Sequence, residues 1–208
     1  ISGGSAANTI VGLASFGIRT AFVGKLHDDE AGRSFAHDIR KSGVHFETAF
    51  AKDGASTARC LVLVTPDGER TMNTYLGACQ HLGPDDIDEA IVRNSSILYL
   101  EGYLWDPPAA KEAFKKAAAI SHAAGHQVAL TLSDSFCVDR YRDEFLELIR
   151  HKIVDIVFAN QHELKSLYQT ADLDTAVTAF RNEGVLGAIT RSEDGCLVVT
   201  RDETIAVP

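Results

Sequence analysis

The chain has 208 residues, 45% of them hydrophobic, and a formal net charge of −9. That length and apolar content suit one soluble domain with a real core, and no apolar run is long enough to cross a bilayer. The acidic balance argues against broad nucleic-acid binding, although a locally positive site can still take an anion.

The first eight residues, Ile1-Ser2-Gly3-Gly4-Ser5-Ala6-Ala7-Asn8, run straight into an apolar helix expected over 6–16 and closed by Gly17. Adjacent glycines let a backbone approach a ligand, and the helix start behind them offers unpaired N–H groups. Asn8 adds an amide that both donates and accepts. The group suits a small polyhydroxylated ligand. No strand precedes it and no Met opens the chain, so the sequence reads as a fragment.

A short buried strand is expected over 20–24 and an amphipathic helix over 30–42, with Phe35 and Ile39 inward. Strand-like segments follow at 45–51, 56–65 and 69–75. The turns Lys52-Asp53-Gly54 and Pro66-Asp67-Gly68 separate them, a hairpin pattern. After Pro84 strands and helices alternate. Strands are expected at 96–101, 127–132, 154–159 and 185–190, and helices at 108–124, 139–151, 163–168 and 174–182. A hairpin at 196–200 and 204–207 closes the chain. Such alternation predicts a parallel sheet covered by helices, and the early strands then form a small separate sheet such as a lid.

In open parallel sheets ligands collect at the carboxyl ends of the strands. Glu101, Ser133, Asp134, Asn160, Thr190 and Ser192 all fall there. Each is also a plausible helix cap. Asn160-Gln161-His162-Glu163 has capping-box spacing, and the same amide and carboxylate could hold a hydrated Mg²⁺ beside phosphates. Thr190-Arg191-Ser192-Glu193-Asp194-Gly195 is either a plain turn or a nucleotide contact. Cys60, Cys79, Cys137 and Cys196 form no CxxC pair, which fits reduced thiols in a cytoplasmic protein and leaves no zinc site. His122 and His126 read as a solvated helix end. P-loop and GxGxxG patterns are absent.

Taken in order, these segments resemble the PfkB or ribokinase family of carbohydrate and nucleoside kinases. Gly3-Gly4-Ser5-Ala6-Ala7-Asn8 is similar to that family's GG-x-x-x-N motif. Residues 24–32 resemble its G-x-x-x-D-D-x-x-G continuation, with His27 where Gly or Ala is more usual. Asn160 to Glu163 matches N-x-x-E, and Thr190 to Gly195 resembles T-x-G-x-x-G with Ser192 for the middle Gly. Residues 70–78 and 131–136 look most like the adenosine-kinase branch and its bacterial sugar-kinase relatives.

The resemblance implies a three-layer α/β/α sandwich with a β-sheet lid within about 45–76, residues 1–208 forming one partial kinase domain truncated at both ends. It implies an ATP-dependent, Mg²⁺-assisted phosphotransferase acting on a hydroxymethyl group of a sugar or nucleoside. Substrate contacts fall on Gly3, Gly4, Asn8 and Glu101. ATP and Mg²⁺ contacts fall on Asn160, Glu163, Thr190, Ser192 and Gly195, with Glu163 toward the metal. Exposed lid edges favour a homodimer through the lid. No segment matches the family's G-A-G-D, which carries the general base, so the chain alone is expected to be inactive. A non-catalytic sugar- or nucleoside-binding module is the alternative.

Overall fold

A computed structural model describes all of residues 1–208. The chain divides into two compact units, Ile1–Asp88 and Glu89–Pro208.

In the first unit, helix α1 spans Ser5–Ser15 and helix α2 spans Glu30–Lys41. Asp29 caps α2, accepting a hydrogen bond from the Gly32 N–H at 2.8 Å, and Arg40 and Lys41 sit in its last turn, where cations suit the helix dipole. The inward residues Ala36 and Ile39 join Ala7, Leu26, Val44 and Phe46 in one core cluster. Phe22, Phe35 and Phe46 pack there with ring centroids 5.8–6.2 Å apart.

Two expectations for this unit are corrected. The segment at 20–24 is extended but half-buried, and it makes one parallel bridge, Ala21 to His45, rather than a strand. The Lys52-Asp53-Gly54 turn does not close a hairpin. The 45–51 segment runs instead parallel to 21–27 through bridges at His45 and Ala51. Burial of Val44 and Phe46 in the α2 core draws it there. The second turn behaves as read. Strands β1 (Arg59–Val64) and β2 (Arg70–Tyr75) pair antiparallel in a sheet of their own, and all twelve of their residues are exposed.

The second unit opens with the short helix α3 (Glu89–Arg93), which the sequence pattern did not suggest. Then come β3 (Ile97–Glu101), α4 (Pro108–Ala123), β4 (Gln127–Thr131), α5 (Ser135–Arg150), β5 (Ile156–Asn160), α6 (Gln161–Leu167), α7 (Leu173–Glu183), β6 (Leu186–Thr190), β7 (Cys196–Val199) and β8 (Thr204–Val207). The sheet order is β3-β4-β5-β6-β7-β8. Strands β3 to β6 are parallel, β7 runs antiparallel to β6, and β8 runs antiparallel to β7.

Successive strand residues point to opposite faces. Leu100, Val128, Leu130, Val157, Ala159 and Ile189 share one face and are buried. On the opposite face Ala129 and Ile156 are buried, while Ile97, Phe158 and Leu186 stay partly open. Helix α4 lies on β3 and β4 and α6 on β5 and β6. The alanines at 110, 113, 117 and 118 let α4 approach closely.

Candidate functional site

In the first unit, Gly4 is the N-cap of α1 with φ 113°, a conformation that favours glycine. No side chain caps α1 and no acidic residue stands in its first turn, so its N-terminal N–H groups have no side-chain acceptor. A Cβ on Gly3 would meet only the Asn8 Oδ1, at 3.9 Å. Gly3, Gly4 and Asn8, the expected substrate contacts, therefore lie together, with Asn8 exposed beside the glycines.

In the second unit, strand register brings four polar residues to one edge. Glu101 pairs with Thr131, and Asn160 pairs with Thr190, at the carboxyl ends of β3, β4, β5 and β6. Gly102 permits the close approach there, since a Cβ would lie 2.5 Å from the Thr131 carbonyl oxygen and 2.9 Å from Ser133 Oγ. Ser133 takes φ 72°, unusual for a residue with a side chain. Its hydroxyl donates to Glu101 Oε1 at 2.6 Å and accepts the Tyr103 N–H at 3.1 Å. Glu101 Oε2 is buried and has no hydrogen-bond partner.

Asn160 and Glu163 form the capping box that their spacing implied. Asn160 Oδ1 accepts the N–H groups of His162 and Glu163, and Glu163 accepts the Asn160 N–H at 3.0 Å and the Asn160 amide at 2.6 Å. The local capping reading is thus realised in the geometry, and it leaves Glu163 only 5% exposed. Burial raises the Glu163 carboxyl above the usual range; the Asn160 N–H bond opposes this and the charge of Asp134 adds a smaller push upward. Burial, followed by the carboxylates of Asp134, Glu101 and Glu163, pushes the Tyr103 phenol up to about 12. One patch therefore gathers oxygen donors with mutual repulsion, which a hard cation with several waters would relieve. No three His, Cys, Asp or Glu side chains converge as a direct ligand set.

Thr190 ends β6 and is exposed. Ser192, with φ 54°, opens a single 3₁₀ turn, and Gly195 closes it with φ 76°. Sequence reasoning passed over Arg191 in this turn. Its Nε is buried without a partner, a donor suited to an anion. It also passed over the coupling of Ser133 to Glu101. The signal for Arg191 was its place inside the turn; the Ser133 contact spans 32 residues and had no local signal.

All four cysteines are unpaired. No helix is long and apolar enough to cross a membrane.

The sequence profile of the pfkB family of carbohydrate kinases matches residues 1–208. The adenosine kinase of Sinorhizobium meliloti superposes with a TM-score of 0.96 at 54% identity, over 100% of this chain and 63% of that one. A probable sugar kinase of Rhizobium etli CFN 42 superposes with a TM-score of 0.96 at 49% identity, over 99% of this chain and 62% of that one. The probable fructokinase-2 of Arabidopsis thaliana is 28% identical over 208 residues, 96% of this chain and 63% of the relative. The chain thus spans less than two thirds of the length of these relatives.

Proposed function

Because the chain belongs to the pfkB family of carbohydrate kinases and has a ribokinase-like α/β fold, we propose that it serves an ATP-dependent transfer of phosphate to the hydroxymethyl group of a sugar or nucleoside. The observation that carries this reading is Glu101 Oε2, a buried carboxylate oxygen with no donor. Burying such an acceptor unpaired is costly, and a ligand hydroxyl would satisfy it. Similarity to an adenosine kinase and to sugar kinases points the same way.

On this reading Gly3, Gly4, Asn8 and Glu101 contact the hydroxylated substrate. Thr190, Ser192 and Gly195 line the nucleotide. Asn160 and Glu163 face Mg²⁺ and phosphates, chiefly through water. The donor set fits such an ion: oxygen only, buried, and mutually repelling without it. ATP would supply the phosphoryl group, and Mg²⁺ would offset its charge. The residues of this chain orient, hold charge and exclude water. The strands at 59–75 act as a lid over the substrate and, through their exposed apolar residues, as the seat of a homodimer. Four unpaired thiols favour a cytoplasmic setting. The 208 residues contain no G-A-G-D segment. On this reading they bind the reactants and do not by themselves deprotonate the attacking hydroxyl.

The test is ATP consumption with Mg²⁺ by protein expressed from the complete reading frame, against adenosine, inosine, ribose and fructose. Turnover with one of them is expected, with a raised KM in Glu101→Gln. No turnover with any hydroxylated substrate sinks the reading.

A further inference from the structure

The first unit carries a second concave surface that none of the residues above share. Helical periodicity puts Arg33, His37, Arg40 and Lys41 on one face of α2, opposite Gly32, Phe35 and Ile39. With Ala36 and Phe50 they line an open surface groove of about 440 Å³. That volume is within the range of small-molecule sites. In a chain of net charge −9, a groove with four basic side chains on its wall is out of keeping with the surface at large.

The two guanidinium groups are held in place. Arg40 donates from Nε to the Phe46 carbonyl at 2.9 Å, and its guanidinium carbon sits 5.4 Å from the Phe46 ring centre. Its terminal N–H groups make no intramolecular bond. Arg33 is clamped by Asp28 through both carbonyl (3.3 Å) and carboxylate (2.5 Å). Ordering a long side chain beforehand lowers the cost of binding a ligand. Arg33 is charge-balanced by Asp28, whereas Arg40 and Lys41 have no carboxylate partner. Two uncompensated cations match a dianion. Half-buried Phe50 supplies an apolar wall beside them, with Ala36 closing the floor beneath.

We propose that this groove binds a small phosphomonoester dianion. Arg40 and Lys41 take the phosphate as charge-assisted donors, and the flat or apolar part of the ligand lies on half-buried Phe50. The site shares no residue with the kinase reading and stands or falls separately from it.

The test uses phenyl phosphate, which resembles neither a sugar nor a nucleoside, with inorganic phosphate as the reference anion. Binding is followed by calorimetry and by the nuclear magnetic resonance signals of the His37 ring and the α2 amides. Phenyl phosphate should shift those signals and bind about tenfold tighter than inorganic phosphate, the gain expected from one well-placed apolar contact. Phe50→Ala should erase that preference. Arg40→Gln should weaken binding of both anions by at least about tenfold, the usual worth of a charge-assisted bond. Because Arg40 also holds the Phe46 carbonyl, exposed Lys41→Gln is the second variant and should weaken both while lowering thermal stability only slightly, by the loss of one last-turn cation. A nucleoside monophosphate and a sugar phosphate, run afterwards on the same signals, tell which ester the groove prefers. Unshifted α2 signals, equal binding of the two anions, or binding unchanged in Lys41→Gln overturns the proposal.

Discussion

Ser133 Oγ lies 2.6 Å from Glu101 Oε1 and fixes that carboxylate while its second oxygen stays unpartnered. Ser133 does so from a left-handed backbone at φ 72°, a conformation that persists only where the surroundings enforce it. The bond spans adjacent parallel strands, since Glu101 is in register with Thr131. Ser133→Ala should leave Glu101 free to turn. A hydrogen bond to a charged group is worth about 1.5–3 kcal/mol, so kcat/KM should fall roughly ten- to a hundredfold, chiefly through KM. Ser133→Gly relieves the backbone and serves as the control for strain. If Ser133→Ala lowers stability but leaves KM unchanged, the serine is a turn residue and nothing more.

Asp29 ties two parts of the first unit together. Its carboxylate accepts the Gly32 N–H at 2.8 Å, starting α2, and the Thr57 N–H at 2.9 Å, just ahead of β1. Burial pushes the carboxyl up, but the combined hydrogen bonds from Thr57 and Gly32 outweigh it and hold the group at about 2. A carboxylate depressed in the folded state stabilises above its unfolded value of 3.8 and loses that stabilisation as pH falls toward about 2. Asp29→Ala should cost about 2 kcal/mol at neutral pH. Asp29→Asn keeps a capping oxygen and removes the charge, so its unfolding free energy should change less than that of the parent between about pH 4 and pH 2. Urea titrations at neutral and acidic pH measure both. Parallel acid limbs for parent and Asp29→Asn would show that this carboxylate is not the group that titrates.

Local signals in the sequence located most of the second unit, because each strand there is a short apolar run closed by a polar cap. The closing strand at 204–207 was read to the residue, and the Asn160–Glu163 box followed from spacing alone. Helix α5 was read four residues late. It begins at Ser135 under the Asp134 cap, and non-helical geometry at Tyr141 (φ −121°, ψ 22°) interrupts the periodicity that would have marked its first turn. The 45–51 segment was misplaced for another reason. Its pairing with 21–27 is set by contacts with α2 far away in sequence, whereas a Lys-Asp-Gly turn is a purely local cue. The same distance in sequence hid the Ser133–Glu101 bond.

Glu163 does two jobs on the proposed reading, and a conservative substitution separates them. Glutamine serves in a capping box as glutamate does, but it keeps only one acceptor oxygen, so Glu163→Gln should keep α6 while losing one of the two bonds from Asn160, at a cost of about 1 kcal/mol. Removing the negative charge should weaken Mg²⁺-dependent activity roughly 10–100-fold, the usual scale for a group that orients a bound ion. Burial, chiefly, and the neighbouring Asp134 raise this carboxyl. The ionised form that a cation needs is therefore lost at a higher pH than for an ordinary glutamate, and Mg²⁺ affinity should fall correspondingly early as pH is lowered. Activity at several Mg²⁺ concentrations, compared with thermal melts of the same variant, tests this. Full activity in Glu163→Gln leaves only the cap.

The β1–β2 hairpin is apolar on both faces. Leu61 (70% exposed), Leu63 (66%) and Tyr75 lie on one, and Val64, Met72 (64%) and Val62 on the other. A two-stranded sheet alone is marginal in water, and so large an open apolar surface is the mark of a contact. Its strands also leave unpaired edges that another strand can extend. Under the lid reading these strands meet their counterparts in a second copy. Sedimentation should then show a concentration-dependent dimer. Leu63→Glu, which places a charge on one face without touching the β1–β2 hydrogen bonds, should shift it to monomer. Because Leu63 is 66% exposed and opposite only Thr71 in the hairpin, the melting temperature extrapolated to low concentration should change little. A parent protein that stays monomeric at every concentration removes the dimer and leaves the hairpin as a lid alone.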